Sequence, residues 1–192
     1  MITRTVAREI ALMLCFALTD TPERAEEVLE AFFDREYYGS LGAEHALFAE
    51  YPGKKQLNYI RSIVLGTAGH RRELDGYIEL YSRGWKLSRI SRIAASILRT
   101  AIFEVLYLEE VPDSVAINEA VELSKGYEEA ETVSFINGIL GSFMRAEKGS
   151  EPTAEREPEA ESAPGEDMPV TPDAAETETP AEAGAPEAGA LE

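Results

Sequence analysis

The feature that most constrains the fold is the helical spacing of apolar residues between Ile90 and Leu106. Side chains three and four positions apart lie on one face of an α-helix, so this segment predicts a helix with a broad buried face. Similar spacing recurs through residues 3–145, and no run of alternating polarity there predicts a β-strand. The sequence therefore predicts an all-α domain of six or seven helices.

Capping signals set the ends of several of these helices. The first helix is expected over residues 3–18, and the second begins after Thr21, which can cap, and Pro22, which suits a first helical turn. Residues 111–140 hold the fifth and sixth helices, joined by a short polar turn. The N-terminal apolar segment has an acid at its start and no cleavage site, so we interpret it as a helix and not as a signal peptide.

The middle of the domain is richer in glycine. Residues 37–54 predict a loop with room for one helical turn, because they contain three glycines and a proline. A long helix is expected from Lys55 to Tyr81. Gly66 and Gly69 lie within it, and a glycine inside a helix costs stability, so both indicate close contact with another helix.

The last part of the chain differs sharply in composition from the rest. Residues 148–192 contain 7 of the 10 prolines and 13 acidic residues against 2 basic ones, a net charge of −11. They can bury too little apolar surface to offset the entropy of ordering. We therefore predict a helical domain over residues 1–147 and a disordered acidic tail, rich in Pro, Ala and Glu, over residues 148–192.

Basic residues concentrate in the middle of the predicted domain. Residues 54–99 hold ten Lys and Arg side chains against three acidic ones, within a domain whose net charge is −7. Such a cluster is typical either of a solvated helix face or of a local binding site for a polyanion, and charge alone slightly favours the solvated face. Tyr81 and Trp85 lie near these cations in sequence, as in sites for single-stranded nucleic acid. Trp85 falls at a helix junction, where we expect it to close the end of the core.

The chemistry needed by an enzyme is missing from the sequence. His45 and His70 are isolated, and neither a phosphate-binding loop nor a nucleophile motif occurs. Cys15 is the only cysteine, which excludes an internal disulfide and fits a reducing cytoplasm. No apolar run reaches the length of a membrane span. We predict a cytoplasmic, non-enzymatic protein without a metal or cofactor.

Several segments together are highly specific, and through them the chain resembles the NusB family of bacterial transcription antitermination factors. The matching segments are AREIALMLCF (7–16), ELDGYI (73–78), WKLSRI (85–90), ILRTAIFEVL (97–106), VPDSVAINEAVELSKGY (111–127) and FINGIL (135–140). The resemblance implies two small helical bundles packed together. It also implies binding to boxA RNA of ribosomal RNA operons, jointly with the ribosomal protein NusE, within the RNA polymerase antitermination complex.

The resemblance also implies which residues bind these partners. RNA contacts are expected from the N-terminal helix, the end of the long helix and the turn before the last helix, and the NusE surface from the first helix and the start of the fourth. The residues for RNA are Arg4, Arg8, Tyr81, Arg83, Tyr127, Glu131 and Phe135, and those for NusE are Phe16 and Ala94. Relatives usually have Tyr at the position of Phe16 and an acid at that of Ala94.

Two asparagines interrupt the apolar pattern of the last two helices. Asn118 and Asn137 lie at the edges of the buried faces, so we interpret both as structural ties whose amides bind neighbouring groups. Two other functions stay open: an RNA-recognition module for a separate RNA-modifying enzyme, as in RNA methyltransferases with a NusB-like domain, and a helical scaffold without RNA. Some family members dimerise, so the expected partners include a second copy of the chain.

Overall fold

The computed structural model describes residues 1–19, 21–82 and 85–149. Eight α-helices occur in these residues: α1 (Arg4–Ala17), α2 (Ala25–Phe32), α3 (Arg35–Glu44), α4 (Lys54–Gly69), α5 (Arg71–Tyr81), α6 (Arg92–Tyr107), α7 (Asp113–Ser124) and α8 (Ala130–Glu147). Short 3₁₀ turns lie at Pro22–Arg24, Ala46–Phe48 and Leu87–Arg89. The predicted all-α class is confirmed. Arg83 and the predicted tail beyond Gly149 lie outside the described residues.

Polar caps start three of the helices. The Thr3 hydroxyl accepts from the backbone N–H of Val6 at the start of α1. The Asp34 carboxylate accepts from two backbone N–H groups of α3, and the Ser91 hydroxyl accepts from that of Ala94 in α6. Each such cap stabilises its helix by about 1 kcal/mol, so these helix starts are encoded locally.

Helix α3 occupies the first part of the segment for which we predicted a loop, residues 37–54, and the prediction was wrong there. The Asp34 cap starts the helix, and burial of Tyr38 among aromatic rings holds it. The ring of Tyr38 lies 5.7 Å from that of Phe32 and 5.8 Å from that of Phe48. Aromatic packing of this kind outweighs the low helix propensity of the glycines, so tertiary contacts decided the structure here.

The long helix predicted from Lys55 to Tyr81 is two helices, α4 and α5, separated at His70. Gly66 makes the close contact that its sequence position predicted. A Cβ atom there would lie 1.9 Å from Cζ of Phe103 in α6. Gly69 has open space around its Cα, so a close contact does not explain it. It is instead the last residue of α4.

Helix α6 is the centre of the packing. Of the N-terminal helices it contacts α1 and α4, and of the C-terminal helices it contacts α5, α7 and α8. Every residue from Ala94 to Val105 is buried, so nearly the whole circumference of α6 is covered. The N-terminal helices and the C-terminal helices thus form two small packed groups that share α6. None of the described helices combines the length and apolarity needed to cross a membrane.

Candidate nucleic-acid interface

Trp85 lies on the surface directly after α5. Its side chain is 55% exposed, so the prediction that it closes the core was wrong. The Trp85 backbone is tied to Ser82, a buried residue whose hydroxyl donates to the Trp85 carbonyl over 2.6 Å. The Trp85 backbone N–H donates in turn to the Ser82 carbonyl over 3.2 Å. An exposed indole on a hydrogen-bonded turn is a preorganised contact surface.

The ring of Trp85 packs against that of Phe135 in α8, and we call this pair the aromatic ridge. The ring centroids are 5.7 Å apart and the planes are tilted by 52°. Phe135 lies at the edge of α8 next to its buried face, where Ile136 and Ile139 enter the core. The core therefore holds one member of the ridge while the other reaches into solvent.

Two clefts adjoin the aromatic ridge. The first cleft, of about 320 Å³, is lined by Tyr81, Ser82, Trp85, Phe135, Gly138, Ile139, Ser142 and Arg145. The second cleft, of about 330 Å³, is lined by Trp85, Arg89, Ile90, Ser91, Glu131, Thr132 and Phe135. Among the described residues, only the two ridge residues line both clefts, so the ridge stands between them. Tyr81, Glu131 and Phe135, three of the predicted RNA residues, are thus brought together.

One arginine of the described residues lines each cleft. Arg89 in the second cleft makes no ion pair within the described residues, and the same holds for Arg145 in the first cleft, whose Nη2 donates to the hydroxyl of Ser142 over 3.1 Å. Arg89 belongs to the predicted basic cluster of residues 54–99 and Arg145 does not. Three members of that cluster are neutralised in the described residues: Arg61 pairs with Glu26, and Arg71 and Arg99 both pair with Asp75. The basic cluster is therefore divided, and the cations beside the ridge are available to an anion.

Tyr81 forms the far wall of the first cleft. Its hydroxyl donates to Glu147 over 2.5 Å, and this hydrogen bond, with burial second, raises the pKa of Tyr81 to about 12. Like an ordinary tyrosine, Tyr81 is neutral at physiological pH and offers a ring face without a phenolate charge.

The α7–α8 turn, residues 125–129, is anchored on two sides. The Tyr127 hydroxyl donates to Glu9 of α1 over 2.7 Å, and Glu128 accepts a hydrogen bond from Ser91 at the start of α6. Burial, followed by the hydrogen bond to Glu9, raises the pKa of Tyr127. Tyr127 lines neither cleft, yet its turn leads directly to Glu131 and so fixes that side of the second cleft.

The two N-terminal arginines, Arg4 and Arg8, differ in how deeply they are buried. Arg8 is 2% exposed, with its guanidinium paired to Glu104 and Glu119, so it offers no cation to a phosphate in this structure. The predicted RNA contact of Arg8 is thus corrected to a core ion pair. Arg4 is half-buried, with its guanidinium carbon 3.9 Å from the centre of the Tyr59 ring, and lines neither cleft.

A second exposed surface lies on α1 and the start of α6. Phe16 is 37% exposed, Met13 is exposed one turn before it, and the guanidinium of Arg92 lies 5.0 Å from the Phe16 ring. Ala94 is 0% exposed, so it cannot contribute a side chain to a protein interface. It lies in the buried phase of α6, and this predicted NusE contact is corrected to a core position.

The two asparagines do not act as the predicted ties. Asn118 in α7 and Asn137 in α8 are both exposed, and neither side chain makes a hydrogen bond in the part of the chain that the structure describes. The apolar spacing placed them at the edge of the buried faces, and the helices turn that edge towards solvent. That structural interpretation was wrong.

Groups for catalysis or metal binding are absent from the described residues. No cluster of His, Cys, Asp and Glu there could hold a metal ion. Cys15 is buried, and burial raises the pKa of its thiol to about 11, which keeps the reactive thiolate scarce. The surface feature with a defined chemistry is instead the aromatic ridge with its two arginines.

Residues 5–145 match the model of the NusB family. The chain is 39% identical over 142 residues to "Transcription antitermination protein NusB" of Acetivibrio thermocellus, covering 74% of this chain and 88% of that protein. NusB from T. maritima has a similar fold, with a TM-score of 0.55 at 24% identity over 75% of this chain and 92% of that one. A chain in "Crystal Structure of a Plectonemic RNA Supercoil" also matches, with a TM-score of 0.55 at 22% identity over 77% of this chain and 98% of that one.

The helical segments that carried the resemblance therefore lie within a match that spans nearly the whole described domain. Because the family consists of antitermination factors, the prediction that the chain is not an enzyme is also confirmed. The chain belongs to the NusB family and is a transcription antitermination factor.

Proposed function

We propose that this factor binds single-stranded boxA RNA at the aromatic ridge and acts with NusE in the antitermination complex on ribosomal RNA operons. The observation that carries the proposal is the position of Arg89 and Arg145, two cations without an ion pair in the described residues, beside the exposed ridge. Stacking on aromatic rings and cationic contact with phosphates are the two components of single-strand binding. We accordingly propose that the protein acts in the cytoplasm.

Charge supports a narrow RNA-binding face. Residues 1–147 carry a net charge of −7, so the domain as a whole repels a polyanion. RNA must therefore bind where cations are locally unneutralised, as at Arg89 and Arg145. Of the residues expected to contact RNA, we retain Tyr81, Glu131 and Phe135 in the clefts. Tyr127 is retained beside them because its turn frames the second cleft.

The surface around Phe16 suits a protein partner. Met13 and Phe16 expose apolar area one turn apart, and Arg92 lies over the Phe16 ring. Aromatic, Met and Arg side chains are enriched in the centres of protein interfaces, where they desolvate well. We assign NusE binding to this surface, with Phe16 at its centre and Arg92 in the place that we had expected for Ala94.

The salt dependence of RNA binding tests this proposal. Log affinity for a single strand falls by about 0.7 per phosphate contact for each unit of log salt, so Arg89→Gln/Arg145→Gln should reduce the slope by about 1.4. Lys54→Gln/Lys55→Gln makes the same charge change at the start of α4 and should reduce it far less.

The titrations use a boxA oligoribonucleotide with and without NusE, and the mass of each complex is measured in solution. We expect NusE to increase RNA affinity, and the mass to separate a complex of one copy from a homodimer. Absence of RNA binding in the presence of NusE would overturn the proposal and favour a scaffold without RNA.

A further inference from the structure

We infer that the aromatic ridge is a wedge that separates two successive unpaired bases of the RNA, one in each cleft. This inference rests on the proposed RNA binding. It adds the number of bases bound at the ridge, which is two, and a role for Trp85 in separating them. The ridge residues line both clefts, and the two linings share no other residue in the part of the chain that the structure describes. A strand that fills both clefts must therefore cross the ridge.

Ring geometry suits a wedge better than a continuous stack. A tilt of 52° between Trp85 and Phe135 turns the two ring planes in different directions. Bases that stack on both rings are consequently splayed and not parallel. Unpaired bases splayed onto separate aromatic faces are the usual substrate of single-strand binding sites.

Each cleft has the size of a site for one small ligand group, such as a single base. The volumes of about 320 and 330 Å³ lie at the small end of the range of roughly 300–1,000 Å³ for small-molecule sites. Two nearly equal clefts of this size favour two single bases over one long stack. Arg145 in the first cleft and Arg89 in the second stand where the phosphates on either side of the ridge can be neutralised.

Gly138 keeps the first cleft open. It lies in the middle of α8, where glycine costs helix stability, and a Cβ atom there would meet nothing within 4 Å. Packing against the described residues therefore does not explain this glycine. A bare helix surface next to Phe135 is what a base stacked on that ring needs.

Two leucine substitutions separate this role from folding. Gly138→Leu introduces a good helix former that fills the first cleft, so it should retain or raise the unfolding temperature while weakening RNA binding. Gly76→Leu is the matched control, because Gly76 is an exposed glycine of α5 that also has open space and lines neither cleft. It should leave RNA affinity unchanged.

Trp85 is the only tryptophan, so its fluorescence reports on the ridge directly. We would titrate full-length protein with boxA oligoribonucleotides that carry one abasic site at each position in turn. The wedge predicts Trp85 quenching and two adjacent positions at which loss of the base weakens binding by about 5- to 150-fold, the range for one base–aromatic stack. Gly138→Leu should abolish the effect of only one of these positions, and Trp85→Ala should reduce the effect of both.

The outcomes distinguish the wedge from RNA binding itself. Salt-dependent RNA binding without a change in Trp85 emission, or without an adjacent pair of sensitive positions, would overturn the wedge and leave the proposed function standing. A change in Trp85 emission on adding NusE alone would assign the ridge to a protein contact and also overturn it. No binding of any oligoribonucleotide would overturn both.

Discussion

Arg8 of α1 and Glu104 of α6 form an ion pair in the core, with Nη2 of the arginine 2.7 Å from Oε1 of the carboxylate and Nε 2.9 Å from Oε2. Tyr59 of α4 donates to Oε1 of Glu104 over 2.6 Å, and Nη1 of Arg8 donates to Glu119 of α7 over 2.8 Å. One network thus connects four helices. Glu104 is completely buried, so its charge depends on these donors.

Removal of Arg8 should therefore destabilise the fold strongly. Arg8→Met leaves the Glu104 carboxylate buried without its cation, and breaking one side of a buried pair costs about 3–5 kcal/mol. Arg8→Met/Glu104→Leu should recover part of that loss, because the orphaned charge is removed. Urea unfolding followed by circular dichroism measures both. Arg24→Met at the exposed Arg24–Glu27 pair is the control and should change stability little.

A second stability prediction concerns Gly66. Gly66→Ala would place a methyl group 1.9 Å from Cζ of the buried Phe103 ring, so α4 and α6 must separate or the ring must move. Overpacking of this kind costs about 1–3 kcal/mol. Gly76→Ala, at an open helical position, should instead stabilise by up to about 1 kcal/mol. If both substitutions shift the urea midpoint in the same direction, helix propensity and not contact with Phe103 explains Gly66.

Alkaline pH should destabilise the domain through buried tyrosines. Burial, with a smaller effect of Tyr51, raises the pKa of Tyr38 to about 12, and burial also raises that of Tyr59. An unfolded tyrosine titrates near pH 10, so between pH 10 and 12 the folded state binds more protons and the free energy of unfolding falls as pH rises. The slope per group approaches about 1.4 kcal/mol per pH unit. The stabilisation that comes from the raised tyrosine pKa values is fully present below pH 10.

Urea midpoints at pH 9, 10 and 11 measure this effect. Tyr38→Phe should reduce the fall of the urea midpoint with rising pH. The variant should lose little free energy of unfolding at neutral pH, because the Tyr38 hydroxyl makes only a long hydrogen bond of 3.4 Å to the Glu50 carbonyl. Tyr37→Phe removes the hydroxyl of an exposed ring and is the control. An unchanged slope in Tyr38→Phe would exclude Tyr38 as a source of the alkaline sensitivity.

The sequence predicted the helices with strong apolar periodicity and missed those set by tertiary contacts. Helix α6 follows its spacing closely, and that spacing already included Ala94 in the buried face. The resemblance placed Ala94 on a partner surface, and the periodicity was the better guide. Helix α3 has a low apolar content and depends on aromatic rings from other segments, so local patterns could not identify it.

The burial of Arg8 could have been predicted from the sequence of α6. Glu104 interrupts the apolar run AIFEVL in the buried phase of α6, and a buried carboxylate requires a cation from another element. Trp85 had no such signal. Its exposure depends on the turn made by Ser82 and on Phe135, which is 50 residues away in sequence, so the two clefts could not be predicted from either segment alone.

Glu131 should influence which RNA the second cleft accepts. Its carboxylate only accepts hydrogen bonds and repels phosphate, whereas an amide can also donate to the carbonyl groups of uracil. We expect Glu131→Gln to raise the affinity for an oligouridine by up to about 5-fold, the effect of one exposed charge. Glu129→Gln makes the same charge change just before α8, outside the cleft lining, and should have a smaller effect in filter binding. Weaker oligouridine binding by Glu131→Gln would contradict this role.

The exposed surface of α1 should determine affinity for NusE. Phe16→Ala removes the ring that packs under Arg92, and truncation of a central interface aromatic costs about 2 kcal/mol or more in binding. Isothermal titration with NusE should therefore show at least roughly 30-fold weaker binding, and a cooperative thermal unfolding transition checks that the variant is folded. Tyr37→Ala truncates a more exposed aromatic on α3, away from this surface, and should bind NusE normally. Equal losses for the two variants would show that NusE binding does not depend on the α1 surface.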